Sequence, residues 1–278
     1  SIILILFPYI LVSNIIFPVG TIMGERLLYL SAGGISLFTA FGILRLYEKN
    51  RAIAVFVFIP LMIFFTGKTV ARNEAWYDDE TLFSTDVKHA PNSVKILCNL
   101  GYLTGKAGNI EESKEYFRKA IDIYPEYTEA LRGYGKRLYD QKSYEESLQY
   151  YARAVHSAPD DVNARNDYGI VLGKTGRLDE AEEQFAASIK LNPNSPLPYQ
   201  EMSGICIDRG WYEKALDYLR TAERLGGDRR IILNNSAVAF YLLKDYSSAF
   251  QALKEAEAAG VSINEELAGA IRAAVQKR

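Results

Sequence analysis

Asn109-Ile110-Glu111-Glu112-Ser113-Lys114-Glu115-Tyr116-Phe117-Arg118-Lys119-Ala120-Ile121-Asp122-Ile123-Tyr124-Pro125 decides the fold. Ser113, Phe117 and Ala120 fall three and four residues apart, one face of a helix, and Pro125 stops it. The same arrangement returns down the chain. Prolines stand at Pro91, Pro125, Pro159 and Pro193, each 34 residues after the last, and the next step lands on Gly227.

Aligned on that interval, four columns agree. A small residue recurs in a first helix (Gly101, Gly135, Gly169, Ser203, Ala237) and another in a second helix (Ser113, Ser147, Ala181, Ala215, Ala249). The second is followed by Phe117, Tyr151, Phe185, Leu219 and Leu253, then by Ala120, Ala154, Ser188, Ala222 and Ala256. Thirty-four residues is the period of tetratricopeptide repeats. Small side chains let paired helices approach, and the large apolar residue is expected to fill the space between successive hairpins. No hairpin buries its apolar face alone, so the units must stack. Turns such as Lys106-Ala107-Gly108-Asn109 and Lys174-Thr175-Gly176-Arg177 join the two helices, with Gly at a position of positive φ. Asn264 to Arg278 reads as a final helix capping the stack.

Such an array is a right-handed superhelix whose first helices line the concave side. The inward residues form one ladder of Asn99, Asp167, Glu201 and Asn235, and beside it Arg132, Asn166, Gln200 and Asn234. Amide side chains both donate and accept, so a run of them can hold an extended peptide backbone with little regard for its sequence. The alternative is that these are solvated groove residues without a ligand.

The front of the chain reads differently. The whole has 278 residues, 49% hydrophobic and 24% charged, with a net charge of -2, but up to Gly67 the balance is +2 and beyond it -4. Neither part has the basic excess a nucleic-acid binder needs, so no nucleic-acid partner is expected. With two cysteines, Cys98 and Cys206, there is no disulfide framework, and neither His89 nor His156 has a second ligand at metal spacing, so no metal is expected. Uncharged runs cover Ser1 to Gly24, Leu27 to Leu44 and Ala52 to Gly67. At about 1.5 Å per helical residue, such runs approach or exceed a hydrocarbon core of roughly 30 Å. They read as three membrane segments, with buried helices of a soluble protein as the alternative. Ser1 lies inside an apolar run, so the start reads as truncated.

The short loop Arg45-Leu46-Tyr47-Glu48-Lys49-Asn50-Arg51 holds three basic residues, which places it on the cytoplasmic side and everything after the third segment outside the cytosol. Glu25 and Arg26 then sit at the extracytoplasmic surface, either as an anchoring ion pair or as part of a site. The forked donors of Arg26 suit a lipid-linked phosphate. The acidic Asp78, Asp79 and Glu80 read as the first turn of a helix rather than a metal cluster.

Phe17-Pro18-Val19-Gly20, Glu25-Arg26-Leu27-Leu28-Tyr29-Leu30, a basic loop, a last span, Arg72-Asn73 with Trp76, and then the repeats resemble the C-terminal part of the TMTC family, the transmembrane and tetratricopeptide-repeat O-mannosyltransferases, and their bacterial relatives. The resemblance covers essentially the whole chain. Where that family shows a proline soon after the Glu-Arg-Leu-Leu-Tyr stretch, Ser31-Ala32-Gly33 stands here. It implies an all-α protein: the last transmembrane helices of a GT-C-like membrane domain (1–70), a juxtamembrane connector (71–93), five tetratricopeptide repeats (94–263) and a capping helix (264–278).

The activity so implied is transfer of a sugar, mannose in characterised members, from a dolichyl- or undecaprenyl-phosphate type of carrier to protein Ser or Thr, in the endoplasmic-reticulum lumen or the bacterial periplasm. The lipid-linked donor is the one small molecule expected, contacted by Arg26 and Glu25. Catalytic carboxylates of such enzymes lie in a first outer loop, so no catalytic residue is assigned in this segment. The expected partners are the lipid bilayer and an acceptor or partner protein in the groove. A membrane-anchored repeat scaffold without catalytic activity is the alternative.

Overall fold

The computed structural model describes residues 41–74 and 78–276, and every regular element among them is α-helical. Residues 41–49 are helical and are followed by α1 (Arg51–Glu74). Next come α2 (Asp79–His89), α3 (Val94–Lys106), α4 (Ile110–Ile123), α5 (Thr128–Asp140), α6 (Tyr144–Ser157), α7 (Val162–Lys174) and α8 (Leu178–Leu191). The series closes with α9 (Pro196–Asp208), α10 (Tyr212–Arg224), α11 (Arg229–Leu242), α12 (Tyr246–Ala258) and α13 (Glu265–Gln276). The chain divides into two compact units, Ser1–Pro125 and Glu126–Arg278.

In the first unit, the first two expected membrane spans lie outside the described residues except for 41–44. The third, Ala52 to Gly67, lies within α1, which runs on to Glu74 and contains Pro60. Among the described residues no helix is long and apolar enough to cross a membrane. Several apolar side chains of α1 are nonetheless exposed, Phe56 by 79% and Ile63 by 67%.

The expected loop Arg45–Arg51 is a correction: residues 41–49 are helical and only Asn50 leaves the helix. The i to i−4 pattern carries through, with Asn50 N–H donating to Leu46 O at 2.7 Å and Ala54 N–H to Asn50 O at 3.1 Å. Asn50 breaks the helix because its Oδ1 competes for backbone donors, accepting from Ala52 N at 3.1 Å and Ile53 N at 3.2 Å. The residues before it have no such alternative.

Asp78 caps α2, its Oδ1 accepting from Thr81 N at 2.7 Å, and Asp79 and Glu80 occupy the first turn, where carboxylates meet the positive end of the helix macrodipole. Those backbone hydrogen bonds hold the Asp78 carboxyl below its ordinary pKa. Helix α2 ends two residues before Pro91, as α4, α6 and α8 end two residues before Pro125, Pro159 and Pro193, and it packs on α3.

Ten helices from α3 to α12 pair as five hairpins. The hairpin α3–α4 belongs to the first unit; the other four, with α13, make the second and stack as a tetratricopeptide superhelix. Within each of the first three hairpins the large residue packs on the glycine of its own partner helix. A Cβ at residue 101 would lie 2.9 Å from the Phe117 ring, at 135 3.2 Å from Tyr151, and at 169 2.8 Å from Phe185. The aromatic column therefore closes its own hairpin and, at Tyr151 and Phe185, also fills the space against the next one, as expected from the repeat. In the last two hairpins the smaller Leu219 and Leu253 accompany Ser203 and Ala237, so volume is conserved across the pair.

The second small column serves the same approach: Ser113 Oγ donates to Gly101 O at 2.5 Å, and Ser147 Oγ to Gly135 O at 2.7 Å. Between hairpins, Leu148, Tyr151, Val171, Leu172, Phe185 and Met202 form one buried cluster. Helix α13 closes the end with Ala268 and Ile271 packed among residues of α11 and α12. Gly108 and Gly176 adopt φ of +89° and +78° in the turns that the sequence assigned to them.

Candidate functional site

Helices α5, α7, α9 and α11 pack side by side in the second unit and carry seven of the eight expected groove residues. Asn99, the eighth, is half-buried on α3 in the first unit. Glu25 and Arg26, the expected contacts of the donor phosphate, lie outside the described residues.

The groove residues of the second unit interact from helix to helix. Arg132 on α5 reaches Asp167 on α7, with Nε and Nη2 donating to Oδ2 at 2.9 Å and 2.8 Å. Its Nη1 lies 3.8 Å from Asp161 Oδ2. Asp161 in turn caps α7, accepting from Asn163 N at 2.8 Å and Ala164 N at 3.2 Å, so one short element holds both acids near the guanidinium. Burial raises the Asp167 carboxyl above its ordinary pKa, and the attraction of Arg132 offsets only part of that.

Gln200 is not a solvated groove residue. It is 3% exposed, and its Nε2 donates to Asp228 O at 2.9 Å, fastening α9 to the residue that caps α11. Asn235 Nδ2 donates to Ser203 Oγ at 3.2 Å, Ser203 Oγ donates to Gln200 O at 2.6 Å, and Asn234 Nδ2 donates to Asn235 Oδ1 at 3.3 Å. These four residues form a continuous polar chain across α9 and α11. Asn234 also lines an open recess of about 470 Å³ between α11 and α13, with Val238, Tyr241, Asn264, Glu266 and Leu267.

Between those levels, Asn166 is buried at 2% exposure and its Oδ1 has no hydrogen-bond partner among the described residues. Glu201 on α9 is half-buried; burial raises its carboxyl above the ordinary range, and exposed Lys174 pulls it back only in part. Tyr139 on α5 lies close enough to feel the Glu201 charge, and its own phenol is raised mainly by burial.

Two features escaped the sequence reading. Trp211 is flanked by Arg209, whose Cζ is 5.1 Å from the ring, and by Lys214, whose Nζ is 5.0 Å away. Arg209 also bonds Glu182 Oε2 at 2.5 Å and Asp179 on the preceding hairpin, so this cluster is an inter-repeat clasp. Trp211, Arg209 and Lys214 follow no repeat column, so the period gave no sign of them. The other is a cleft of about 350 Å³ between α10, α11 and α12, with an apolar floor of Leu219, Ile232 and Leu233 and a polar rim that includes Arg220 and Glu255.

Stacked two-helix units of one period, with an inner row of polar side chains, define a tetratricopeptide-repeat protein. The chain belongs to that family: the tetratricopeptide-repeat pattern matches residues 98–162, 138–196 and 207–261, more than half of the chain. Over the repeats it fits the C-terminal repeat part of a TMTC-family protein, with about 30% identity to the O-mannosyl-transferases. It is 31% identical over 135 residues to protein O-mannosyl-transferase TMTC1 of Homo sapiens, covering 47% of this chain and 15% of that protein. It is 34% identical over 121 residues to protein O-mannosyl-transferase Tmtc2 of Drosophila melanogaster, covering 42% and 13%. The chain thus matches only about a seventh of the length of these curated relatives.

Among solved structures, pilF of Pseudomonas aeruginosa superposes with a TM-score of 0.57 at 21% identity, covering 72% of this chain and 87% of that one. YrrB, a tetratricopeptide-repeat protein with an unusual peptide-binding site, gives 0.51 at 16% identity, covering 63% and 90%. At such identities these likenesses show the fold alone.

Proposed function

We propose that this chain is the repeat-bearing C-terminal part of a membrane glycosyltransferase and that its second unit holds an extended segment of the acceptor protein in the groove of its first helices. The observation that carries this reading is the identity of about 30% to O-mannosyl-transferases over the repeats. Half-buried Asn234 and Asn235 support the groove, because buried Ser203 and Gln200 hold them in place and Asn234 lines an open recess. The exposed apolar side chains of α1, Val55, Phe56, Phe58, Ile59 and Ile63, support an anchoring role for the front of the chain in a lipid bilayer.

The reaction so proposed joins the anomeric carbon of the sugar, mannose by family resemblance, to a Ser or Thr hydroxyl oxygen. The polyprenyl phosphate leaves with the bonding pair, and a base outside this segment takes the hydroxyl proton. The repeats lie on the lumenal or periplasmic side in this reading, and Arg26 with Glu25 contacts the donor phosphate.

The test is transfer of labelled mannose from polyprenyl-phosphate mannose to acceptor protein by the full-length polypeptide that carries this chain. Replacing Asn234 and Asn235 together by Ala should raise the acceptor KM and leave the donor KM unchanged. Unchanged acceptor KM would remove the groove assignment, and absence of transfer by the folded wild type would favour a membrane-anchored scaffold.

A further inference from the structure

Arg132 and Asp167 face one another across α5 and α7, and a shift of one repeat, 34 residues, carries that pair onto Asn166 and Glu201 across α7 and α9. At the first level the acid has a guanidinium; at the second the arginine is replaced by an amide too short to do the same work. The next shift gives Gln200 and Asn235, which are both engaged, with Asp228 O and Ser203 Oγ. Among the described residues of the second unit, the level between α7 and α9 is therefore the one at which a buried acceptor, Asn166 Oδ1, has no donor opposite. Asp161, the second acid near Arg132, maps onto uncharged Ser195, so this level holds a single negative charge.

We propose that this level is a subsite for one basic side chain, a Lys or Arg of the bound segment, held between the Glu201 carboxylate and the Asn166 amide oxygen. The inference deepens the groove reading and rests on it. A cation entering here takes the position that the Arg132 head occupies one repeat earlier, and gives both acceptors a charged donor. Both lack one otherwise: Lys174 is exposed and forms no ion pair with Glu201 among the described residues, and Tyr139 brings no cation. Charge-assisted hydrogen bonds in a half-desolvated groove are stronger than neutral ones, so the subsite favours a basic residue over an uncharged one of equal length. The groove thereby reads one side chain of a segment whose backbone it holds without regard to sequence.

The full 278-residue chain is probed with an array of short randomised peptides. The bound set should be enriched in Lys or Arg at one position, and exchange of that residue for Gln should weaken binding about tenfold. Glu201→Gln should abolish the preference while leaving peptides bound. Asn166→Arg supplies the missing guanidinium from within, so it should raise Tm and remove the preference as well. Peptides bound without basic enrichment would overturn the subsite and leave the groove standing, as would an Asn166→Arg protein that is less stable and still selects basic residues. Binding of no peptide at all would overturn the groove reading, and the subsite with it.

Discussion

Phe185 lies on Gly169 so closely that a single added methyl at residue 169 would sit 2.8 Å from two atoms of its ring, and the ring is itself buried. Gly169→Ala should therefore destabilise the second unit by about 1–3 kcal/mol, the usual cost of overpacking, despite the better helix propensity of Ala. Phe185→Leu in the same chain should recover much of the loss, because Leu219 with Ser203 and Leu253 with Ala237 already use that combination. Urea unfolding of the two single variants and the double gives the coupling; strict additivity would sink the argument.

Lys142 and Lys244 adopt φ of +63° and +62° at the turn position where Gly108, Gly176 and Gly210 stand in the other repeats. A non-glycine residue in that conformation costs about 1–2 kcal/mol, part of which the flexibility of glycine in the unfolded chain takes back. Lys142→Gly should raise Tm by the equivalent of about 0.5–1 kcal/mol. A lowered Tm would mean that the lysine stem contributes packing not visible in the turn.

Ser188 stands in a column otherwise made of Ala, and its buried Oγ has no partner among the described residues. Ser188→Ala should stabilise the fold by about 1 kcal/mol, since an unsatisfied hydroxyl is removed without leaving a cavity. Differential scanning calorimetry decides it, and a decrease in Tm would show that the hydroxyl is satisfied in solution.

Burial raises the carboxyls of Asp167 and Glu201, so the folded state binds their protons more tightly than the unfolded chain does. Their contribution to stability is full below the ordinary carboxylate range and is lost as pH rises through the folded values. Glu201→Gln should match the wild type in acid and become progressively the more stable of the two as pH rises towards neutrality. Denaturation at stepped pH measures the difference, and a constant offset would contradict it.

Much of this architecture is legible in the residues. The 34-residue columns name the paired helices, and the Asp78–Asp79–Glu80 stretch starts a helix as its chemistry requires. Legibility ended where alternative hydrogen-bond partners compete. Arg45 to Lys49 reads as a charged loop, yet those residues are good helix formers and the chain stays helical until Asn50 offers its own acceptor. Gln200 reads as a groove residue, yet its amide reaches the carbonyl of Asp228 on the next repeat.

The sequence by itself determined the repeat, the pairing of helices and the types of side chain along the inner row, because periodicity and volume are properties of the chain read in order. Only the tertiary structure decided which of those side chains have partners. A hydrogen bond between neighbouring helices depends on tenths of an ångström set by packing, so Arg132 finds Asp167, Gln200 finds Asp228, and Asn166 Oδ1 finds none among the described residues.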